Sequence, residues 1–363
     1  MTEEYIEKYF EKLLLNKNRL ETDEVYIRNV LKTHLNQIPD KKLYKYRTCS
    51  KINFRTLKSK QIYMSPASNF KDAFDYTLNL NIEANIENLQ NWMMLNIDKI
   101  LYHSLIRECK KMKITTSLTE KDVKEIHNKY FADNGDFLEE LYDNDYKDTE
   151  LNSKKLSNLV KDGLKTYLQT TNGELNKLCE KFMDIMKNTN NNLRQCSLIY
   201  CLSSNNNNCS MWENYSDNYS GFCIEYDFSD IDNMPIKVIK NLISLMPINY
   251  VKQRPEFSIV PFAESVMNKM IGEEVDDSKI HIEVYKHLLM KKSDYSFEQE
   301  WRLAIENKHN NLQYFPFVSG IYMGKNISES NKNELKRIAD KFEVPIYKQR
   351  INFSGNDYEY IKI

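Results

Sequence analysis

One stretch, residues 295–306, constrains the fold of this 363-residue chain more than any other segment. Successive side chains of a β-strand point to opposite faces. If the stretch is a strand, Trp301 and Leu303 lie on an apolar face that can enter a core. The other face carries Glu298, Glu300 and Arg302. We therefore expect a buried strand whose charged face borders a cleft.

A purely structural interpretation of the same residues also stays open. Two carboxylates and a guanidinium can satisfy one another as a surface cluster, which contributes little to stability. Arg302 can also be the internal partner of Glu298 or of Asp75, in a buried network whose role is structural. The sequence alone does not choose between a cleft and such a network.

Composition limits the class of protein. Lys plus Arg number 51 against 52 for Asp plus Glu, so net charge does not draw the chain to nucleic acid or membrane. Seven scattered cysteines without a CxxC pair favour reduced thiols, and we expect no structural metal. No apolar run reaches the length of a membrane span, and the start is acidic. The prediction is a soluble, cytoplasmic protein with no membrane partner.

Hydrophobic periodicity divides the chain into four parts. Residues 1–40 show helical stripes, residues 41–80 contain strands, residues 81–195 return to long amphipathic helices, and residues 196–363 are again rich in strands. A run of asparagines at 188–192 is expected to close the helical block. The fold class is therefore α+β, with N-terminal helices and a mixed sheet that an all-helical insertion splits.

The strand-rich parts predict individual elements. A strand over 43–48 places Lys45 and Arg47 on one face, and a second strand over 61–65 stops at Pro66. The following polar and aromatic residues, 67–75, predict a packed loop. Later strands are predicted at 196–202, 221–227, 248–252, 301–306, 320–323, 344–351 and 358–363, with helices at 263–271, 279–292 and 329–341.

Elimination narrows the chemistry. The six histidines fall outside the strand-rich motifs, so a Ser-His or Cys-His nucleophile has little support. No GxGxxG and no GxxxxGK[ST] occurs among the eight glycines, which argues against a Rossmann or P-loop phosphate site. Carboxylate, Arg/Lys, Tyr and Asn chemistry remains.

Four motifs together carry a resemblance. They are LYKYR at 43–47, SPxxxFxDxFD at 65–75, MWxxYxxxxxGFCIEYD at 211–227 and YxxExEWR at 295–302. In this order they resemble a bacterial family known mainly as a domain of unknown function. The resemblance covers about residues 41–80 and 196–350 and not the insertion. This chain has KDAFD at 71–75 where relatives tend to have NDPFD.

A second similarity suggests a reaction. The segment KQIYMSPASNF at 60–70, with Tyr76, is similar to a stretch of poly(ADP-ribose) polymerases and related ADP-ribosyltransferases. In that superfamily an early strand carries a His or Arg, a second carries a Tyr or Ser, and a late strand carries Glu-x-Glu. Arg47, Tyr63 and Glu300 follow this order. The similarity implies an ADP-ribosyltransferase-like core that takes NAD as its substrate.

The similarity also implies roles for the residues. Glu300 would contact the ribose and stabilise the developing cation, and Glu298 would position the acceptor. Tyr63 and Tyr76 would contact the nicotinamide, and Arg47 or Lys45 the ribose or phosphate. The implied catalytic residues are Glu300, Glu298, Arg47 and Tyr63. The implied NAD-binding residues are Lys45, Tyr46, Ser65, Asn69, Phe70, Asp72, Asp75, Tyr76, Trp212, Tyr215 and Arg302.

Structural alternatives stand beside each role. Tyr46 and Tyr63 can be core aromatics, and Trp212 with Tyr215 can brace the sheet. Asp72 can cap the loop through an Asx turn. Two classes of function follow. The first is an NAD-dependent transferase or NADase acting on a protein or nucleic-acid acceptor, such as a toxin or antiphage effector. The second is a non-catalytic nucleotide-sensing or protein-binding module that uses the same cleft.

Overall fold

The computed structural model describes residues 3–111, 113, 115, 118–130, 138–145, 158, 161–163, 175–270, 272–307, 310–352 and 357–363. These residues form a mixed α+β fold, as the sequence predicts. The α-helices are α1 (Glu3–Leu15), α2 (Lys17–Thr22), α3 (Glu24–Leu35), α4 (Lys51–Lys58), α5 (Ile82–Leu95), α6 (Ile97–Lys111), α7 (Glu120–Tyr130), α8 (Glu139–Asp145), α9 (Leu175–Cys196), α10 (Cys209–Tyr215), α11 (Ile236–Ile239), α12 (Val260–Met270), α13 (Ser278–Leu288) and α14 (Glu329–Phe342).

The strands form one large sheet and two small ladders. They are β1 (Lys42–Arg47), β2 (Gln61–Tyr63), β3 (Ser65–Pro66), β4 (Ser197–Ser203), β5 (Phe222–Asp227), β6 (Leu245–Pro247), β7 (Asn249–Val251), β8 (Met290–Lys292), β9 (Glu300–Glu306), β10 (Leu312–Tyr314), β11 (Val318–Met323), β12 (Ile346–Asn352) and β13 (Asp357–Lys362). The large sheet runs β13-β12-β11-β5-β1-β4-β9-β6, and β3 also pairs with β4. Its β11–β12 pair is parallel, so the predicted mixed sheet is confirmed.

Side-chain alternation explains how the sheet is buried. On β9, Trp301 and Leu303 enter the main hydrophobic core, where they join Leu202 and Tyr200 from the neighbouring strand β4. Helices complete this core by burying their apolar stripes against the same face; the contributors include Leu31 of α3, Leu57 of α4 and Leu335 of α14. The opposite face of β4 and β9 therefore presents the alternate residues, which include the charged ones.

The described chain divides into two compact units. The first, called the sheet unit, comprises Met1–Asn79, Asn190–Pro255 and His281–Ile363. The second, called the helical unit, comprises Leu80–Thr189 and Glu256–Ile280. It has its own apolar cluster, in which Leu101 and Leu105 of α6 pack with Val123 of α7. Residues 256–280, which the sequence analysis assigns to the second part of the core, belong to the helical unit.

The structure corrects two predicted elements. The strand expected over 295–306 begins only at Glu300, because residues 293–298 form a 3-10 helix and Gln299 is left-handed, with φ 44°. The asparagine run at 188–192 does not end a helix, since α9 continues to Cys196. Tertiary contacts override the poor helix propensity there: Asn190 Oδ1 accepts from the backbone N–H of Leu78 at 2.9 Å.

Most of residues 151–174, which the sequence predicts as helix, lie outside the described residues. Among the helices that the structure describes, none combines the length and the apolar character needed to cross a bilayer.

Trp301→Ala tests the assignment of the core face. The side chain is 4% exposed within the main core, so its removal is expected to lower the free energy of unfolding by about 3 to 5 kcal/mol. The matched control is Tyr314→Ala on β10, where the ring is 57% exposed and the expected change is within about 0.5 kcal/mol. Urea unfolding of both variants checks this, and equal losses would place the core elsewhere.

Candidate functional site

The charged face of β9 is buried rather than open. Glu300 lies opposite Ser203 and Arg302 opposite Cys201 across the β4–β9 ladder, which turns both side chains away from the main core. Glu300 is nevertheless only 4% exposed and Arg302 is fully buried. Buried charges require partners, because desolvation of an unpaired ion is costly. Other protein groups therefore cover Glu300 and Arg302 on this face.

Arg302 is the centre of the group of charges. Its two terminal nitrogens donate to Asp75 Oδ1 and Oδ2 at 3.1 and 3.2 Å. Its Nε donates to Glu300 Oε1 at 2.9 Å. A planar guanidinium suits such a bidentate contact. The internal partnership of Arg302 and Asp75, left open as an alternative by the sequence, is present in the structure.

Lys291 connects the remaining carboxylates. Its Nζ lies 2.5 Å from Glu298 Oε2, 3.1 Å from Glu300 Oε2 and 3.8 Å from Asp75 Oδ2. We call Asp75, Lys291, Glu298, Glu300 and Arg302 the ion cluster. It contains one more carboxylate than cation, so its net charge is negative when all three carboxylates are ionised.

The backbone turn at Gln299 brings Glu298 beside Glu300. In a continuous strand these side chains would lie about 7 Å apart along one face; here the left-handed Gln299 ends the 3-10 helix, and both carboxylates reach one ammonium. Ser203 holds the turn, because its Oγ donates to the carbonyl of Glu298 at 2.7 Å. Tyr250 fixes the start of β9, since its hydroxyl accepts from the backbone N–H of Glu300 at 2.8 Å.

Two partly exposed tyrosines contact the ion cluster at Glu298 and Lys291. The hydroxyl of Tyr215 donates to Glu298 Oε1 at 2.6 Å, and this residue is 45% exposed. The ring of Tyr295 lies with its centroid 5.0 Å from Lys291 Nζ and is 36% exposed. Glu298 is thus the carboxylate of the cluster that is hydrogen-bonded to a side chain open to solvent.

The two neighbouring glutamates have opposite pKa shifts. Burial raises the pKa of Glu298, and the proximity of Glu300 adds to this effect against the attraction of Lys291. Burial would also raise the pKa of Glu300, but the charges of Arg302 and Lys291 outweigh it and hold that pKa well below its ordinary value. The pair therefore combines a carboxylate that nearby cations hold in its ionised form with one that gains a proton more readily.

The loop 67–79 covers the ion cluster at Arg302. The ring centroids of Phe70 and Tyr76 lie 5.5 and 5.9 Å from the guanidinium carbon of Arg302. Asp72 caps the loop, which is the structural alternative given for it. Its Oδ1 accepts a hydrogen bond from the backbone N–H of Phe74 at 2.8 Å in an Asx turn. Asn69 ends a short 3-10 helix and is exposed.

Two further arginines hold this loop by its carbonyls. Arg194 donates to the carbonyl of Ala73 at 2.8 Å. Arg254 donates to the carbonyls of Phe74 and Thr77. No motif of the sequence points to these arginines or to Lys291. Lys291 was hidden because residues 290–292 continue the pattern of helix α13, although they form strand β8.

Two predicted site residues, Lys45 and Arg47, form no hydrogen bond or ion pair with the ion cluster among the described contacts. Lys45 and Arg47 pair in register with Ile224 and Phe222, so they point to the main core face rather than to the face of Glu300. Lys45 Nζ donates to the carbonyl of Cys201 at 2.5 Å, and burial lowers the pKa of Lys45 to about 8.

Tyr63 and Ser65 lie in different ladders. Tyr63 lies in the separate β2–β10 ladder opposite Leu312. Ser65 lies opposite Ile199 on β4, on the same face of the sheet as Glu300 and Arg302. Among the described contacts, none joins either residue to the ion cluster. The expectation that Lys45 or Arg47, Tyr63 and Glu300 share one cleft stays a prediction. Arg47 lies on the core face of β1 and Tyr63 in a separate ladder, whereas the charges of Glu298 and Glu300 act on Lys45.

Tyr46 and Trp212 are buried in an aromatic cluster. The hydroxyl of Tyr46 donates to the carbonyl of Asn205 at 2.8 Å. The indole N–H of Trp212 donates to the carbonyl of Asn206 and to the hydroxyl of Tyr360, both at 3.0 Å. Trp212 has no exposed surface, so its geometry is that of a packing residue, as the alternative interpretation expected.

The described residues contain no group of three or more His, Cys, Asp or Glu side chains that could hold a metal ion. In the ion cluster, Lys291 and Arg302 occupy the positions between the three carboxylates.

Comparison with known proteins identifies one domain. Residues 211–303, roughly a quarter of the chain, match the model of a family described as Protein of unknown function (DUF2971). The matched range contains Lys291, Glu298, Glu300 and Arg302, and of the ion cluster only Asp75 lies outside it. Neither the curated proteins nor the solved structures yield a match to this chain.

The opposite pKa shifts predict different effects of two matched substitutions. A carboxyl group with a depressed pKa stabilises the fold above its unfolded pKa, and this contribution is lost as pH falls. Glu300→Gln is therefore expected to cost on the order of 3 kcal/mol at pH ~7 and progressively less below pH ~4.5.

Glu298→Gln is expected to behave in the opposite way. The raised pKa of Glu298 means that folding opposes its ionisation, so the native protein loses stability as pH rises above ~4.5. A glutamine at this position does not ionise, so the variant does not show this loss. We expect a cost within about 1 kcal/mol at pH ~7, from the altered contact with Lys291. The measurement is the urea midpoint of each variant and of the native protein, at pH ~7 and again below pH ~4.5. Equal losses at neutral pH would contradict the assignment.

Proposed function

We propose that the chain cleaves the bond between nicotinamide and ribose in NAD and transfers ADP-ribose to a macromolecular acceptor or to water. The observation that carries the proposal is the pair Glu298 and Glu300, which share Lys291 and have opposite pKa shifts. Pairs of carboxylates with separated pKa values are typical of sites where one group moves a proton and the other stabilises charge. An ADP-ribosyltransferase-like fold and activity are parts of the same proposal.

The charge of the ion cluster suits the cationic part of NAD. The nicotinamide ring of NAD carries a positive charge, and this charge moves to the ribose as the bond between them breaks. The excess carboxylate of the cluster favours the charge in both positions through its field. Tyr215 and Tyr295 offer half-exposed aromatic rings beside Glu298, and such rings attract organic cations.

The two carboxylates would act in one displacement. The bond between ribose C1′ and the nicotinamide nitrogen breaks, and its electron pair leaves with neutral nicotinamide. An acceptor hydroxyl or water forms the new C1′–O bond, and its proton passes to the ionised carboxylate of Glu298. A raised pKa makes Glu298 a stronger base for this transfer. Glu300 remains ionised and stabilises the oxocarbenium-like centre.

A second candidate function is nucleotide binding without chemistry. Both oxygens of Glu300 are already occupied, one by Arg302 Nε and the other by Lys291 Nζ. A carboxylate with this environment also suits a purely structural part in a sensor or binding module. Binding of NAD without release of nicotinamide would support this candidate over the first.

Release of free nicotinamide from NAD tests the proposal. We expect the native protein to release it, and Glu300→Gln and Glu298→Gln to reduce turnover on the order of a hundredfold. The matched control is Glu225→Gln. Glu225 is a buried carboxylate outside the ion cluster that binds Lys42 at 2.9 Å and Tyr322 at 2.7 Å. This variant is expected to keep its turnover if it folds.

The pH dependence gives a separate test of the base. Glu298 must be ionised to accept a proton, so turnover should fall with decreasing pH through its pKa, which lies above the ordinary value. Glu298→Gln should lose this acidic limb along with most of its activity. If the folded protein neither binds NAD nor cleaves it, both candidate functions are overturned.

A further inference from the structure

A basic groove lies between helices α4 and α14 of the sheet unit. Lys51, Arg55 and Lys58 line one side of it, and Arg337 lines the other. Both helices bury their apolar stripes in the main core, Leu57 from α4 and Leu335 from α14, which leaves their polar faces side by side. The groove is thus on the core-covering side of the sheet, whereas the ion cluster occupies the opposite face of β9.

We propose that this groove binds the backbone of a single-stranded nucleic acid. Its four cations face one lining carboxylate, Glu334, which pairs with Lys58 and lies 3.6 Å from Arg337. Lys51 and Arg55 form no ion pair with any carboxylate in the described part of the chain. The groove therefore has an uncompensated positive charge, in a protein whose overall net charge is −1.

The spacing of the cations suits a phosphodiester chain. Lys51, Arg55 and Lys58 are at positions i, i+4 and i+7 of α4, all exposed, so they follow one face of the helix. Seven residues of helix extend over about 10 Å. A row of this length can contact about two consecutive phosphates of a strand that follows the groove.

The remaining lining residues favour nucleic acid over another polyanion. Phe54 lines the groove, and its ring is held by stacking on Phe222 with a centroid distance of 5.7 Å. Aromatic rings beside a basic track are the usual platform for unpaired bases. Ser330 and Asn331 of α14 add hydroxyl and amide groups that can hydrogen-bond to sugar and base edges.

Fluorescence polarisation with labelled DNA and RNA single strands of about ten nucleotides tests the proposal. We expect binding that weakens as salt is added. The strand that binds more tightly, DNA or RNA, identifies the preferred sugar. Lys51→Gln/Arg55→Gln is expected to weaken binding on the order of tenfold. Loss of two phosphate contacts should also reduce the slope of log Kobs against log salt by about 1.4.

The matched control is Lys12→Gln/Lys17→Gln, which removes two exposed lysines from α1 and α2 and makes the same change in net charge. It should leave binding unchanged. No binding of either strand at low salt, an equal loss in the control, or equal competition by polyglutamate would overturn the proposal. The proposal stands independently of NAD cleavage, since nicotinamide release by the double variant should equal that of the native protein.

Discussion

The contact of Arg302 with Asp75 and Glu300 is the interaction on which the arrangement of the sheet unit depends. A fully buried guanidinium must be neutralised, and here one partner comes from its own strand while the other comes from a loop 227 residues away in sequence. The contact therefore fixes the loop 67–79 against β9. Arg194 and Arg254 fasten the same loop through its carbonyls, so three arginines hold a segment that has little regular structure.

This arrangement separates the behaviour of two adjacent glutamates. Arg302 binds Glu300 directly and does not bind Glu298, and Lys291 must divide its charge between both. Glu300 therefore remains ionised, whereas burial dominates the pKa of Glu298. The same contact that stabilises the fold thus creates the difference on which the proposed chemistry rests.

The sequence predicts the sheet more fully than the site. Strong alternation in β1, β4, β5 and β9 identifies these strands, because each has one face in the core. The link between Arg302 and Asp75 could be offered only as one alternative, since pairing across such a distance in sequence has no periodic signal. Lys291 was missed because three residues of strand directly after a helix continue the helical pattern. Gln299 was missed because a left-handed residue other than glycine is rare at the start of a strand.

The residues named by the motif similarity lie on both faces of the large sheet and on a separate ladder. Lys45 and Arg47 lie on the core face of β1, and Tyr63 lies in a different ladder from Glu300. Register decides these positions, and a shift by one residue would exchange the faces. By contrast, Asp75, Glu298, Glu300 and Arg302 of the predicted set do meet, together with Phe70, Tyr76 and Tyr215. The residues from the late strand and from the packed loop carry the candidate site.

The central claim is that the ion cluster raises the pKa of Glu298 and lowers the pKa of Glu300. Direct titration of these two carboxyl groups tests it. Carbon NMR of protein labelled at the glutamate side-chain carboxyl, with Glu298→Gln and Glu300→Gln used to assign the signals, follows each group separately. The account predicts that the Glu298 signal titrates above the ordinary value of about 4.3, while the Glu300 signal stays ionised until the protein unfolds in acid. Titration of Glu298 at or below that value, or protonation of Glu300 before Glu298, would contradict it.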